Sequence, residues 1–222
     1  MHEVHAAVED RAAALAFALT CALTQTPAHR APLFLIRPRG GGRGRARLLG
    51  EGLAGLGIDP ARLVLVETAE EAALLRAGLD AARCPALAGV VIESEGRLAA
   101  YDLTASRRLA LAAERSGSRI VMVRIAAQPR PSAAFTRWTI ASAPSAPLPG
   151  AAPGRSMLLV RLDRRRGWAG GQTRWHLEWD STNGFFRPLP APIEAAPALP
   201  PPLPGAVVSL AGLRSGPASR AA

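Results

Sequence analysis

The chain of 222 residues contains no lysine, and all 27 of its basic residues are arginine. That absence excludes Schiff-base and lysine-nucleophile chemistry. Arginine stays charged at any workable pH, so none of these cations serves as a general base. Glycine is missing where one specific loop would need it. Glu3-Val4-His5 is a short β-branched stub and Ala14–Leu19 opens an apolar helix, so the two frame a strand–loop–helix of P-loop length. A working phosphate loop needs glycines for close backbone approach, lysine for the β/γ-phosphates and Ser/Thr for magnesium. Here Ala6 and Arg11 stand at the two glycine positions, Ala12 at the lysine and Ala13 at the Ser/Thr.

Cysteine is scarce. Cys21 and Cys84 stand outside any C-x-x-C, and two buried, reduced thiols in a cytosolic protein are expected. Long apolar runs are also lacking. Ala12–Leu23 is too short to span a bilayer, and Glu3, Glu9 and Asp10 give it the wrong leading charge for a signal peptide. His2, Glu3 and His5 do not make H-E-x-x-H, and His29 and His176 are isolated, so no metal site is expected. No G-x-S-x-G is present, and no cofactor is expected.

What is there is a globular composition, 49% hydrophobic and 20% charged, with a net charge of +10 that favours an anionic partner such as nucleic acid. Leu33–Ile36, Leu63–Val66, Ala88–Ile92 and Ile120–Ile125 are apolar runs without alternation, which predict strands buried on both faces of a parallel sheet. Helical patterns at Leu48–Leu56, Ala69–Ala82 and Asp102–Ser116 separate them, the last stopped by Gly117. The alternation predicts a wound α/β domain. Trp138–Ala141, Met157–Leu162 and Arg174–Trp179 read as antiparallel strands closing one sheet edge. From Pro188, Pro and Ala dominate. The expected organisation is therefore a domain over 1–187 and a disordered tail over 188–222.

Arg37, Arg39, Arg43, Arg45 and Arg47 stand among four glycines in the 37–47 stretch, either a phosphate-backbone contact or a solvated loop. Arg164-Arg165-Arg166 reads as a solvated hairpin tip, Asp102 or Thr104 as a helix N-cap, and Trp138, Trp175 and Trp179 as core or sheet-face residues.

The ordered series Gly57–Leu63, Asp102–Glu114, Pro131–Trp138 and Glu178-Trp179-Asp180 resembles the ImuA family, the inducible mutagenesis proteins of bacterial damage-tolerance cassettes, over about residues 2–186. The resemblance implies a RecA-like fold. His2–Leu19 then overlays the RecA strand, P-loop and helix, and Glu93, after Val90–Ile92, is nearest to the magnesium-holding acid. Against the family pattern the chain starts almost on the first strand, and its 37–47 loop is richer in Arg and Gly. The implied function is that of a non-catalytic adaptor in SOS-induced translesion synthesis, a pseudo-ATPase with no catalytic residue. Implied partners are a catalytically inactive Y-family polymerase-like protein and an error-prone replicative polymerase. RecA, single-stranded DNA and self-association are further candidates, and the expected location is cytoplasmic, at the nucleoid, with no membrane partner. An active nucleotide hydrolase with an unconventional loop is the alternative, and a basic nucleic-acid-binding protein unrelated to mutagenesis a third reading.

Overall fold

The computed structural model describes residues 1–23, 31–40, 47–168, 170 and 173–189. In chain order the elements are β1 (His2–Ala6), α1 (Arg11–Ala22), β2 (Leu33–Pro38), α2 (Gly50–Gly55), β3 (Leu63–Thr68), α3 (Glu71–Ala82), β4 (Gly89–Glu95), α4 (Leu103–Ser116), β5 (Ile120–Ile125), β6 (Thr136–Ala143), β7 (Met157–Arg165), β8 (Arg174–Asp180) and β9 (Phe185–Pro188). They build a mixed sheet in the order β3-β2-β4-β5-β1-β6-β7-β8-β9. The pairings from β3 to β6 are parallel and those from β6 to β9 antiparallel. This is an α/β fold, with the antiparallel strands at one side. No helix among the described residues is long and apolar enough to cross a membrane.

The unbroken apolar runs are explained by two cores, one on each face. Val91, Val121 and Val123 join Val4, Leu35 and the α1 residues Ala14, Ala18 and Leu19 in one. Val90, Ile92, Ile120 and Met122 join Leu74 of α3 and Leu109 of α4 in the other. Alternate residues of one strand therefore meet different helices, so both sets are apolar where the helices cover them. Leu63–Val66 departs from this expectation. It lies in β3, the edge strand, where Val64 and Leu65 are 38% and 42% exposed. An edge strand has a neighbour on one side only, so an apolar run does not by itself guarantee burial.

Helix boundaries follow local chemistry. Asp102 caps α4, accepting the Ala105 N–H at 2.7 Å, and Gly117 closes it in the left-handed conformation (φ 74°). α2 is shorter than its pattern suggests, six residues of which Gly50, Gly52 and Gly55 are glycine, the residue that loses most entropy in a helix. Gly89, at the start of β4, sits where a Cβ would lie 2.5 Å from the carbonyl oxygen of Ala22, so α1 and β4 approach closely there.

The Arg164–Arg166 run is a solvated tip only in part: Arg165 and Arg166, at the end of β7 and in the turn after it, are exposed, while Arg164 is half-buried. Arg164 lies within β7 and donates to the carbonyls of Ser132 (3.1 Å) and Ala134 (2.8 Å), and Arg165 stands over the Phe135 ring at 6.0 Å. Arg164 thus pins the β5–β6 connection. Cys21 and Cys84 form no disulfide with each other and are half-buried rather than buried. The thiol of Cys21 is pushed up to about 11 by burial. Strand β9 includes Pro188, and the Leu189 N–H donates to the His176 carbonyl, so the paired chain runs past residue 187. The rest of the proline-rich stretch, from residue 190, lies outside the described residues.

Candidate functional site: an occupied loop at the strand ends

Parallel sheets of this kind offer ligands the carboxyl ends of their strands. The turn from β1 into α1 stands there. Ala6 ends β1, and Arg11 opens α1. Between them the Asp10 and Arg11 N–H groups donate to the Ala7 and Val8 carbonyls, each at 3.3 Å. Asp10 makes no side-chain cap for α1; its Oδ1 instead accepts the Ser142 N–H of β6 at 2.8 Å. The Ala6 carbonyl accepts the N–H of Ala126, which is held at φ 49° just after β5. The backbone of this turn is thus engaged with itself and with its neighbours.

Arg11 reaches across to the end of β4. Its guanidinium donates through Nη1 to Glu93 Oε1 at 2.6 Å and through Nη2 to Glu95 Oε2 at 2.5 Å. Arg11 is 2% exposed and Glu93 1%. Burial alone would favour the neutral guanidine, but hydrogen bonds to Glu95 and Glu93 outweigh it and hold the cation more firmly than in water. Ala12 is exposed and Ala13 buried, and neither carries a polar group. The structure therefore brings Ala6, Arg11, Ala12, Ala13 and Glu93 to one place. The acid at the end of β4 is already neutralised by a cation from the same chain. Glu93 Oε2 and Arg11 Nε have no hydrogen-bond partner there.

The 37–47 arginines divide. Arg37 is buried and is bound to Glu67 across β2 and β3, with Nε and Nη2 at 3.0 and 2.9 Å from Oε1. Register explains the pair, because Arg37 and Glu67 face each other in the parallel ladder. Arg37 is therefore a strand-pairing residue and not an open phosphate contact. Arg39 and Arg47 are exposed, and Arg43 and Arg45 lie outside the described residues.

A second polar cluster escaped the sequence reading. Glu3, 1% exposed, accepts the Tyr101 hydroxyl at 2.6 Å and Arg137 Nε at 2.8 Å. His5 Nε2 lies 3.8 Å from Glu3 Oε2. Burial would raise the Glu3 carboxyl, but its polar neighbours His5, Tyr101, Ser132 and Arg137, of which Tyr101 and Arg137 donate to it directly, overcome that and bring it down to about 2. Arg124 lies over the Tyr101 ring at 5.2 Å. Next door, burial and the nearby amino terminus and Arg119 lower His2 to about 4, and its Nδ1 meets Thr136 Oγ1 at 2.7 Å. The only signal in the sequence was the in/out alternation of β1, in which His2 and Val4 point one way and Glu3 and His5 the other.

No family model matches the chain. It is 42% identical over 136 residues to "Protein ImuA" of Caulobacter vibrioides, in two strains, a match covering 55% of this chain and 53% of the relative. The chain is a homologue of ImuA. It spans about half the length of the ImuA relatives it matches. Among solved structures, SulA from Pseudomonas aeruginosa has a TM-score of 0.41 at 22% identity, over 55% of this chain and 97% of SulA.

The segments that carried the ImuA resemblance are bonded to other parts of the fold. Ser106 of α4 accepts the Ala133 N–H at 3.0 Å, tying Asp102–Glu114 to Pro131–Trp138. Asp59 caps the turn at Pro60–Arg62, and the Trp179 indole donates to the Gly55 carbonyl at 2.8 Å, joining β8 to the end of α2.

Proposed function

We propose that the chain is a non-catalytic, RecA-like adaptor in SOS-induced translesion synthesis and mutagenesis. It would hold a catalytically inactive Y-family polymerase-like protein and an error-prone replicative polymerase together. The kinship to ImuA supports the biological setting. One observation supports the lack of catalysis: Arg11, at the second glycine position of the degenerate loop, is buried in an ion pair with Glu93 and Glu95. Phosphoryl transfer needs positioned cations aimed at the transferring group. Arg11 is committed to two carboxylates, and the loop offers neither lysine nor hydroxyl.

The test is steady-state ATP turnover with and without single-stranded DNA, together with calorimetric titration of ATP and magnesium. No turnover above a buffer blank and no saturable heat are expected. Turnover at ordinary ATPase rates that Glu93→Gln abolishes would overturn the reading.

Direct DNA contact belongs to the same proposal. The net charge of +10 and the exposed Arg39 and Arg47 support a phosphate-directed, sequence-independent mode. Replacing Arg39, Arg43, Arg45 and Arg47 with Ser is expected to weaken binding and flatten its salt dependence. An unchanged slope would remove that loop from the interface.

A further inference from the structure

Helices α3 and α4 cover the face of the sheet opposite α1. A cavity of about 560 Å³ opens on their outer side, over Leu79, Arg83, Pro85, Arg108, Leu111 and Arg115. A second, of about 290 Å³, lies over Leu75, Arg76, Leu79 and Leu109. Leu79 and Arg108 line both, so the two form one trough. Its floor is leucine and alanine, and Leu111 is 45% exposed. Its rim is of one sign. Arg76, Arg83, Arg108 and Arg115 are all exposed, and no acid lines either cavity. Arg83 pairs with Asp80 at 3.3 Å. Among the described residues Arg76, Arg108 and Arg115 form no ion pair.

We propose that this trough is the docking surface for an acidic amphipathic helix of another protein. An apolar floor between two helices takes the apolar stripe of a third, read as anchors at i, i+3, i+4 and i+7. Arginines on both walls take carboxylates flanking that stripe, with the forked geometry that favours bidentate pairing. α3 has 12 residues. At 1.5 Å per residue that is about 18 Å, room for about three turns of a guest helix. The chain's own residues 190–222 are a poor match in charge, with Glu194 as their one acidic side chain against Arg214 and Arg220. A nucleic acid strand is also a poor match. Its phosphates would meet the rim and leave the leucine floor in water, and no aromatic side chain lines the trough for a base to stack on. The inference gives the adaptor reading a surface, and rests on it for the partner being a protein.

The test uses the full chain and three fluorescein-labelled probes followed by anisotropy. One is a helical peptide of about 14 residues with leucine at the anchor positions and glutamate elsewhere. The second is the same peptide with lysine for glutamate, and the third is a single-stranded oligothymidine. The glutamate peptide is expected to bind and the lysine peptide not to. Arg108→Glu with Arg115→Glu should weaken the glutamate peptide about tenfold or more and admit the lysine peptide, with oligothymidine binding unchanged. Leu111→Asp should weaken the glutamate peptide on the parent chain and the lysine peptide on the Arg108→Glu, Arg115→Glu background. All substituted residues are exposed, and circular dichroism melts verify folding.

Equal binding of both peptides overturns the proposal, as does indifference to the variants. Loss of oligothymidine binding in parallel would make the trough a DNA contact instead. A dimer in sedimentation that the double variant dissociates would assign it to a second copy. ATP turnover reports separately. An active ATPase with a working trough sinks the adaptor reading alone, and an inert protein whose trough ignores the peptide sinks this inference alone.

Discussion

Arg11 and Glu93 form a buried pair in which each depends on the other, with side chains 3% and 1% exposed. Removing one partner leaves an uncompensated charge, which typically costs about 3–5 kcal/mol. Arg11→Ala is therefore expected to lower the urea midpoint strongly. Adding Glu93→Gln should restore part of the loss, because the stranded charge goes with it. If the double variant is no better than the single, the two residues are not coupled. Glu3 makes a prediction in pH. Its folded carboxyl titrates at about 2 against an ordinary 4.5, so its stabilisation is present above about pH 4.5 and is lost as pH falls towards 2. Glu3→Gln should flatten stability over that window, an effect of at most about 3 kcal/mol. His2 acts higher up. Its folded value of about 4 lies below an ordinary 6.5, so the unfolded chain takes up a proton first and stability falls from pH 6.5 towards 4. His2→Asn should remove that slope. A His2 titration by NMR near 6.5 would refute the burial argument.

At the scale of elements, the contact between α1 and β4 holds the loop site in shape. Arg11 begins α1, and Glu93 and Glu95 end β4, so the ion pair requires the two elements to keep their spacing. Gly89 sets it at the other end of the strand, where a Cβ would press on the backbone of Ala22. Gly89→Ala is expected to cost about 1–3 kcal/mol, the usual range for overpacking against atoms that cannot turn aside. Chemical denaturation measures it. A variant as stable as the parent would mean that α1 shifts freely, and the Arg11 pair would then have to tolerate that shift. Gly78 in α3 is a milder case, since a Cβ there would meet the tip of Ile92, a side chain with rotamers to try.

For the molecule as a whole, truncation after Leu189 should leave the melting transition unchanged, because β9 and the Leu189–His176 hydrogen bond remain. Truncation after Phe186 removes part of β9 and should lower it. Equal melting of the two would place β9 outside the cooperative unit. The sequence by itself determined the parallel strands, because a strand is apolar where helices cover both of its faces, and the runs 33–36, 88–92 and 120–123 are. It determined the α4 cap and stop, because Asp102 and Gly117 act within one turn of chain. It determined also that the loop after β1 lacks glycine, lysine and hydroxyl. What it left open was every relation between residues far apart in the chain. That Leu63–Val66 forms an edge follows from strand order, which local periodicity does not encode. That Arg37 faces Glu67, that Arg164 pins Ser132 and Ala134, and that Glu3 gathers Tyr101 and Arg137 depends on register between strands and loops separated by 30 to 134 positions. The tertiary structure decided the character of the loop in the same way. Arg11 read as the absence of a glycine, and only the packing of α1 against β4 made it the cation that neutralises Glu93, because charges buried together must be paired by whatever the fold brings within reach.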